Sequence, residues 1–514
     1  MSLPTRSQGA VCFSRDDLEL FSVASRDRNP LHLSEAYARR SPFGEPVVFG
    51  VLGALACLGR SSPRAGRLES AVLEFPNPML VGVPYTLQVS EDSPERLAVR
   101  LVDGRRLLVR LTARFGAAAE GGALATEGPS PDEEAADLRS EELVAGLTDS
   151  NPYRPDRAAL EALIARLGLA GHGVEPVQVA ALLACSYLIG MRLPGRRALF
   201  SRLALRFRPP GDAGTGSLEY AARVTGLDRR FELLSLTAEL KLGGAALAQA
   251  DLQAFVRQDV PADERGELQA LLPAGESRRG RVALVVGASR GLGAAIAHAL
   301  ALQGCTVLAG YRRGREEAEA LRARAAGAPG EVLPLEGDAG DAAWCEEARA
   351  RILAQHGRLD LLVCSACPPL LPLWLEPGAA PRIVEHVSRS VALAATPMAA
   401  LLDCVADQAG WCVLISSSAV QSPVPEWPHY VAAKLALEGL ARVGALEHPR
   451  ASFLIARPPR LLTDLTNTPL GRQAALAPAR VAAVLARRLA GEPAPGRVEL
   501  LEEQCFAPEV ASPC

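Results

Sequence analysis

The feature that most constrains the fold of this chain is a pattern that occurs twice in its first half. An apolar run of helical length, Val47 to Leu58, is followed by a strand that ends in Leu73 to Pro78. The same order returns with Val177 to Ile189 and Leu205 to Pro210, and alternating strands follow each copy. Because a single sheet of this kind leaves an unpaired edge, the repetition predicts two equivalent units that cover one another.

Two stretches without apolar periodicity are interpreted as linkers, one at residues 116–140 and the other at about 259–280. They divide the chain into three predicted domains, 1–120, 138–258 and 279–514. A chain of 514 residues exceeds what a single core usually serves, which agrees with such a division.

The third block alternates short buried strands with helical runs. Val282 to Val286 is a predicted strand, Gly293 to Gln303 a helix and Thr306 to Ala309 the next strand, and further strands are expected at Leu359 to Val363 and Trp411 to Ile415. This alternation is typical of a parallel, doubly wound sheet. The predicted fold class is therefore α+β for the tandem blocks, followed by an α/β Rossmann fold.

Composition disfavours several classes of function. A net charge of −3 gives no basic surface for nucleic acid. Apolar stretches such as Val47 to Gly59 fall short of the ~20 residues that a bilayer requires, and the N-terminus has no apolar signal region. The eleven cysteines show no metal-ligand spacing. We therefore expect a cytoplasmic protein with no metal, no nucleic-acid partner and no membrane partner.

A short polar turn near the N-terminus carries groups suited to the addition or removal of water. Asp27 and His32 supply a base and a proton shuttle, and Asn29-Pro30 fixes the turn between them. Gly50 opens an apolar helix, so its backbone N–H can serve a thioester oxyanion with the positive helix end behind it. The alternative interpretation is an ordinary Asx turn with His32 at the surface.

This segment resembles the signature of the MaoC-like, R-specific enoyl-CoA hydratases. The residues that carry the resemblance are Phe21, Ser25, Asp27-x-Asn29-Pro30-Leu31-His32, Ala38 and Val47-Val48-Phe49-Gly50. The resemblance implies a hot-dog fold, here repeated as a double hot-dog, with Asp27 and His32 as the catalytic dyad. Arg26 stands where the family usually has Gly, and Phe49 where a His commonly precedes the helix glycine.

The second block contains a similar run, Asp149-Ser150-Asn151-Pro152-Tyr153-Arg154. Arg154 takes the place of the histidine, and an arginine does not exchange protons near neutral pH. We interpret the second copy as degenerate, with a role in covering the sheet edge and shaping an acyl-chain tunnel.

The third block carries a different chemistry. The run Val286 to Gly293 follows a strand and opens a helix, and its glycines let the backbone approach a pyrophosphate. Tyr430 and Lys434 lie one helical turn apart, downstream of three serines, Ser416 to Ser418. Tyr430 suits proton donation to a carbonyl as hydride arrives, and the positive charge of Lys434 supports that donation.

The G-x-x-x-G-x-G spacing and the Tyr430/Lys434 pair resemble the short-chain dehydrogenase/reductase family, closest to 3-oxoacyl reductases, over most of 279–465. The resemblance implies a homodimer through the Rossmann domain and a serine thirteen residues before the tyrosine that orients the carbonyl. That position is Ser417, and its two serine neighbours leave the register open by one. The implied cofactor-binding residues are Gly287, Ser289, Arg290, Gly291, Leu292, Gly293, Arg312, Asp338, Ala339, Ala366, Tyr430, Lys434, Pro458 and Thr463.

Three departures from this family stand out. Cys364-Ser365-Ala366-Cys367 replaces the usual Asn-Asn-Ala-Gly, and Pro459 replaces a glycine. No Asn occurs from 361 to 430, so the family's fourth catalytic residue, which holds a water in its proton relay, is missing.

Cofactor choice is predicted from two arginines. Arg290 lies in the glycine loop and Arg312 follows the second strand, where no Asp or Glu stands to bind a ribose 2′-hydroxyl. Arginines at these positions favour a 2′-phosphate, so NADPH is preferred over NADH. Asp338 is expected beside the adenine.

Together the two resemblances imply an enzyme that performs consecutive steps on one acyl thioester, carried by coenzyme A or an acyl carrier protein. The expected order is NADPH-dependent reduction of a 3-oxoacyl thioester and then dehydration to the trans-2-enoyl product, as in fatty acid or polyketide metabolism. One alternative is the reverse order, hydration followed by NAD-linked oxidation. Another is an acyl-binding scaffold with two inactive sites.

Overall fold

The computed structural model describes residues 6–117, 122–125, 133–209, 215–260 and 265–507. The chain forms two compact units, Met1–Asp259 and Val260–Cys514. The first two predicted blocks fall in the first unit. Its elements are β1 (Arg6–Val11), α1 (Arg15–Ser25), α2 (Pro30–Leu33), α3 (Glu35–Ala38), α4 (Gly50–Leu58), β2 (Arg67–Glu74), β3 (Tyr85–Asp92), β4 (Arg96–Asp103), β5 (Arg106–Gly116), β6 (Thr148–Tyr153), α5 (Arg157–Leu167), α6 (Pro176–Tyr187), β7 (Ala198–Phe207), β8 (Leu218–Asp228), β9 (Leu233–Leu242) and β10 (Ala245–Val256).

The strands of the first unit form one ten-stranded sheet with the order β1-β3-β4-β5-β2-β7-β10-β9-β8-β6. The order reads as two mirrored halves of five strands, joined where β2 pairs antiparallel with β7, with Ala71 opposite Leu205 and Leu73 opposite Leu203. Each half would otherwise present a free edge at this seam. Pairing the two edges satisfies their backbone N–H and C=O groups.

A buried helix lies in each half. Every residue of α4 from Val51 to Leu58 is buried, and α6 is buried from Val177 to Ser186. Helices that are apolar on all sides belong inside a core, and here both contribute to one continuous hydrophobic cluster that spans the two halves. Pro176 at the first turn and a capping box between Glu175 and Gln178 fix the start of α6.

The second unit begins at Val260, before the predicted start of the third domain at residue 279. The predicted linker at 259–280 contains α7 (Arg265–Leu271), and Leu268 and Leu272 are buried in the hydrophobic core of this unit. The linker prediction is therefore wrong for this part of the segment. The physical reason is that the few apolar residues of α7 have a partner surface, since α7 packs on helices that follow it in the chain.

The remaining elements of the second unit alternate strand and helix. They are β11 (Val282–Val286), α8 (Gly291–Leu302), β12 (Thr306–Tyr311), α9 (Arg315–Ala325), β13 (Glu331–Glu336), α10 (Ala342–His356), β14 (Leu361–Cys364), α11 (Ala380–Asp407), β15 (Trp411–Ile415), α12 (Pro428–Glu447), β16 (Ser452–Ala456), α13 (Pro478–Ala490) and β17 (Val498–Leu501). All seven strands are parallel, in the order β13-β12-β11-β14-β15-β16-β17. Helices cover both faces in two separate clusters, which is the predicted Rossmann architecture.

One helix among the described residues, α11 with the turn before it (Pro377–Asp407), is long and apolar enough by composition to cross a membrane. Of its most apolar window, 56% is buried inside the unit. The helix packs against α12 and α10 and against strands β14 and β15. A core position accounts for its apolar character.

Candidate functional site

The Asp27 turn begins where α1 ends. Arg26 adopts a left-handed conformation (φ 60°) and ends the helix. The Asp27 N–H then donates to the Ser25 hydroxyl at 3.1 Å. The side-chain amide of Asn29 donates to the backbone carbonyls of Gly190 and Gly195 at 3.2 and 3.1 Å. Both sides of the turn are therefore fixed by hydrogen bonds.

The Asp27 carboxyl is buried, with 2% of the residue exposed. It accepts hydrogen bonds from the Ser186 hydroxyl at 2.8 Å and from the Asn29 N–H at 3.2 Å. Burial raises the pKa of Asp27 to about 7, although both hydrogen bonds act in the opposite direction. A carboxyl with this pKa exchanges protons at neutral pH, which suits general acid–base work.

The backbone at residue 190 passes so close to the Asp27 carboxyl that a side chain has no room there, which explains the glycine at this position. A Cβ added at Gly190 would lie 2.3 Å from the Asp27 Oδ1. Any larger residue would displace the carboxyl, so Gly190 is a condition for the buried position of Asp27.

His32 is oriented by a carbonyl and an aromatic ring. Its Nδ1 lies 2.7 Å from the carbonyl oxygen of Val47, and its ring stacks on Phe49 at 3.8 Å between centroids. Because a carbonyl oxygen only accepts, Nδ1 carries the proton and Nε2 carries the lone pair. Burial, assisted by the positive charge of Arg257, lowers the pKa of His32 to about 4. His32 is therefore a neutral base at physiological pH.

Gly50 starts α4 as predicted. No side chain caps this helix end, so its first backbone N–H groups are available for a developing negative charge. A Cβ at Gly50 would lie 2.8 Å from the Phe75 ring. Phe49, at the position where the family commonly has His, packs between Phe21 and His32 and helps to hold the imidazole.

The second half of the sheet completes the site around Asp27. Ser186 belongs to α6 and Gly190 to the turn that follows it, while the Tyr153 hydroxyl donates to the Ser25 carbonyl at 2.9 Å. None of these three residues was predicted to belong to the Asp27 site. The available signal was the repeat itself, because the twin of α4 was expected to lie beside the first copy.

The run Asp149–Pro152 is similar in sequence to the Asp27 motif, but it does not occupy an equivalent position in the structure. The run lies on edge strand β6, paired with β8, and not in a turn after a helix. Asp149 is bound by Arg192 at 2.9 Å and by the Tyr220 hydroxyl at 3.0 Å. The interpretation as a decayed copy of the same turn is wrong, because the edge of the sheet holds this segment extended. The inner edge of the first half is covered by β7 and not by this run.

The glycine loop of the second unit leads from β11 into α8. Gly287 and Gly291 have positive φ values of 83° and 58°. A Cβ at Gly287 would lie 2.7 Å from the Ala366 Cα, and one at Gly293 would lie 2.2 Å from the Gly287 carbonyl oxygen. No side chain caps the start of α8. A tight backbone loop with uncapped N–H groups fits the pyrophosphate of a dinucleotide.

The two predicted arginines are engaged in ion pairs. Arg290 lies 2.8 Å from the Asp464 carboxylate and Arg312 lies 2.9 Å from that of Asp338. Arg312 and Asp338 therefore lie together beyond the ends of β12 and β13. Ala339 follows Asp338 and is buried.

Tyr430 and Lys434 lie on α12, with the lysine ammonium 5.5 Å from the centre of the tyrosine ring. Lys434 is buried and donates to the Ile415 carbonyl at 2.8 Å. This bond holds the ammonium beneath the tyrosine at the carboxyl end of β15, where ligands bind in doubly wound sheets.

The three serines of the loop differ in their surroundings. Ser416 is buried and donates to Glu438 at 2.8 Å, so its hydroxyl supports the loop. Ser417 and Ser418 are half-buried, and the Ser417 hydroxyl accepts from the Ala419 N–H at 3.2 Å. These contacts argue against Ser416 as the carbonyl-orienting residue. Ser417 stays the prediction.

Sequence analysis also missed the support beneath this loop. Glu438 is buried and forms a paired contact with Arg457, at 2.8 and 2.7 Å. Arg457 also reaches Glu502 at 3.1 Å. This ion-pair network joins α12 to the residues that directly follow β16 and β17.

The other predicted cofactor residues surround the glycine loop. The Pro458 carbonyl accepts from the Ser418 N–H at 3.0 Å. A Cβ at Gly291 would lie 3.5 Å from the Thr463 Cγ2. Cys364 and Cys367 are both free thiols, without a disulfide between them.

Comparisons with known proteins agree with two separate domains. Residues 281–468 match the profile of the family described as short chain dehydrogenase, and residues 3–90 match that of the MaoC like domain. A 3-hydroxybutyryl-CoA dehydratase of Methylorubrum extorquens is 38% identical over 94 residues, which cover 17% of this chain and 60% of that protein. The human mitochondrial dehydrogenase/reductase SDR family member 2 is 34% identical over 169 residues, which cover 32% of this chain and 59% of that protein.

The chain therefore spans about three fifths of the length of these two relatives. Among solved structures, an alcohol dehydrogenase from Thermococcus sibiricus, complexed with 5-hydroxy-NADP, is 26% identical with a TM-score of 0.39; the match covers 43% of this chain and 95% of that one.

Proposed function

Because the chain joins a MaoC-like domain to a short-chain dehydrogenase domain, we propose that it performs two consecutive steps on one acyl thioester. The steps are reduction of a 3-oxoacyl thioester to the (R)-3-hydroxyacyl thioester with NADPH, and dehydration of that product to the trans-2-enoyl thioester. The observation that carries the proposal is the presence in one chain of the buried Asp27 carboxyl and of the Tyr430/Lys434 pair. The 3-hydroxyacyl thioester is the compound that both chemistries share.

Dehydration uses the first unit, which we interpret as two hot-dog copies. The neutral His32 takes the proton from C2 of the substrate on its Nε2, and the protonated Asp27 gives its proton to the departing hydroxyl, which leaves as water. The N–H of Gly50 stabilises the negative charge on the thioester oxygen. Hydration is the same path in reverse, with Asp27 as the base.

Reduction uses the second unit. A nicotinamide cofactor held by the glycine loop supplies the hydride when bound. Ser417 donates a hydrogen bond to the substrate carbonyl, and Tyr430 gives that oxygen its proton. Lys434, held by the Ile415 carbonyl, places a positive charge close to the tyrosine ring, where it stabilises the negative charge that forms on the tyrosine oxygen during the transfer.

Preference for NADPH rests on Arg290 and Arg312. In the structure both arginines are paired with carboxylates, Asp464 and Asp338, which compete with a 2′-phosphate. This competition favours a second candidate function, hydration followed by NAD-linked oxidation. A dianionic phosphate offers each guanidinium more acceptors than one carboxylate does, so we favour NADPH.

The test is mass spectrometry of products from short and long 3-oxoacyl thioesters, as coenzyme A and acyl-carrier-protein forms, with NADPH and with NADH. Wild type should yield the enoyl thioester. Asp27→Asn should accumulate the 3-hydroxyacyl thioester, and Tyr430→Phe should leave the 3-oxoacyl thioester unchanged. A wild-type protein that converts neither a 3-oxoacyl nor an enoyl thioester, although it binds the cofactor, would instead support a scaffold.

We further propose a homodimer through the Rossmann domain. Apolar side chains are exposed on α11 and α12, with Val384, Val443 and Leu446 at 67%, 51% and 80%. A second copy of the same surface would bury them. Sedimentation of Leu446→Glu should show a monomer, whereas the control Leu470→Glu, at an exposed loop leucine, should not change the mass.

A further inference from the structure

A cluster of buried polar side chains lies beside the reductase residues and has no role in the steps above. His429 precedes Tyr430 on α12 and is 1% exposed; His386 on α11 is 9% exposed. Their rings meet edge to face at 4.6 Å between centroids. Ser390, one helical turn after His386, is also buried.

Four polar atoms of this cluster have no hydrogen-bond partner among the described residues. They are Nδ1 and Nε2 of His429, Nε2 of His386 and Oγ of Ser390. Buried polar atoms are almost always paired, and where the protein offers no partner an ordered water usually does. Four such atoms in one place provide the two to four partners that a buried water needs.

Burial keeps both rings neutral, and positive charges nearby act in the same direction. Burial, with the positive charges of Arg389 and Lys434, lowers the pKa of His386 to about 4, against a smaller opposing effect of Glu385. Burial, with His386 and Arg382, lowers the pKa of His429 to about 4. A neutral imidazole has one donor and one acceptor nitrogen, so either nitrogen can bind a water molecule.

We propose that His386, His429 and Ser390 hold ordered water that returns protons to Lys434 and Tyr430, in a segment without the expected asparagine. The inference rests on the proposed reductase function. After Tyr430 has given its proton to the substrate oxygen, Lys434 reprotonates the phenolate. A pocket water then protonates Lys434 and is itself restored by proton exchange with solvent, so one proton enters from solvent for each one delivered. His386 and His429 are positioning residues in this scheme.

The kinetic test compares His386→Leu with His386→Asn, using any carbonyl substrate that wild type reduces. Leucine fills the space without holding water, so kcat should fall about tenfold, with KM for NADPH unchanged and a larger solvent deuterium isotope effect on kcat. Asparagine should restore most of the rate. The control His448→Leu, at a partly exposed histidine on the end of α12 that pairs with Asp403, should behave as wild type.

Equal kcat losses in His386→Leu and His386→Asn, with an unchanged isotope effect, would mean a structural role and overturn the proposal. A second measurement does not depend on the substrate. A high-resolution crystal structure should show water bonded to Nε2 of His386 and to His429, whereas a dry pocket would overturn the relay. Failure of the reductase function itself would appear separately, as wild-type inactivity on 3-oxoacyl thioesters.

Discussion

Replacement of Asp27 by asparagine should make the first unit more stable at alkaline pH. Burial raises the pKa of Asp27 from 3.8 to about 7. Between these values the folded protein keeps a proton that the unfolded chain has released, so stability falls as pH rises. One pKa unit corresponds to about 1.4 kcal/mol. The penalty is absent below about pH 4 and reaches at most about 4 kcal/mol above pH 7.

Asparagine cannot ionise, so the difference in unfolding free energy between Asp27→Asn and wild type should grow with pH by up to about 1.4 kcal/mol per unit and level off above pH 7. His32 acts in the opposite sense: its lowered pKa costs stability as pH falls below 6.5. This effect is present in both proteins and largely cancels in the difference.

The assay must report on the first unit alone. All four tryptophans, at 344, 374, 411 and 427, lie in the second unit, so tryptophan fluorescence does not serve. Amide hydrogen exchange of peptides that cover α1 and α4, from pH 5 to 8.5, gives the opening free energy. Asp16→Asn, at an exposed site on α1, is the matched control. A pH-independent difference for Asp27→Asn would refute the reasoning.

Three further predictions concern activity. Ser186→Ala removes a hydrogen bond to the Asp27 carboxylate, worth about 1.5–3 kcal/mol, so the pH profile of dehydration should move upward by about one to two units; an unmoved profile would contradict the Asp27 assignment. Tyr430→Phe should keep NADPH binding, while the rate of reduction falls by about two orders of magnitude. Near-normal turnover would refute the role of Tyr430 as proton donor. Arg312→Asp should weaken NADPH at least tenfold in fluorescence titrations and spare NADH. The control is Arg279→Asp, at an exposed arginine that pairs with Glu276; equal NADPH affinity in both variants would place 2′-phosphate recognition elsewhere.

The sequence was enough to predict the elements that depend only on residues close together in the chain. The apolar run after Gly50 predicts α4, and the glycines after Val286 predict a tight turn into α8, because one segment fixes its own helical period and turn geometry. The same holds for Tyr430 and Lys434, which the helix places on one face by their spacing alone. The presence of two candidate sites in one chain was readable for this reason.

Tertiary structure decided the surroundings of these groups. Ser186 is 159 positions from Asp27 in the chain and reaches its carboxyl only because β2 and β7 join the two halves of the sheet. Pairing with β8 makes the Asp149 run a strand, although its letters resemble a turn. The pKa values of Asp27 and His32, and the meeting of His386 with His429, likewise depend on burial against distant segments. Contacts of this kind follow from packing between elements, and no short stretch of sequence encodes its partner.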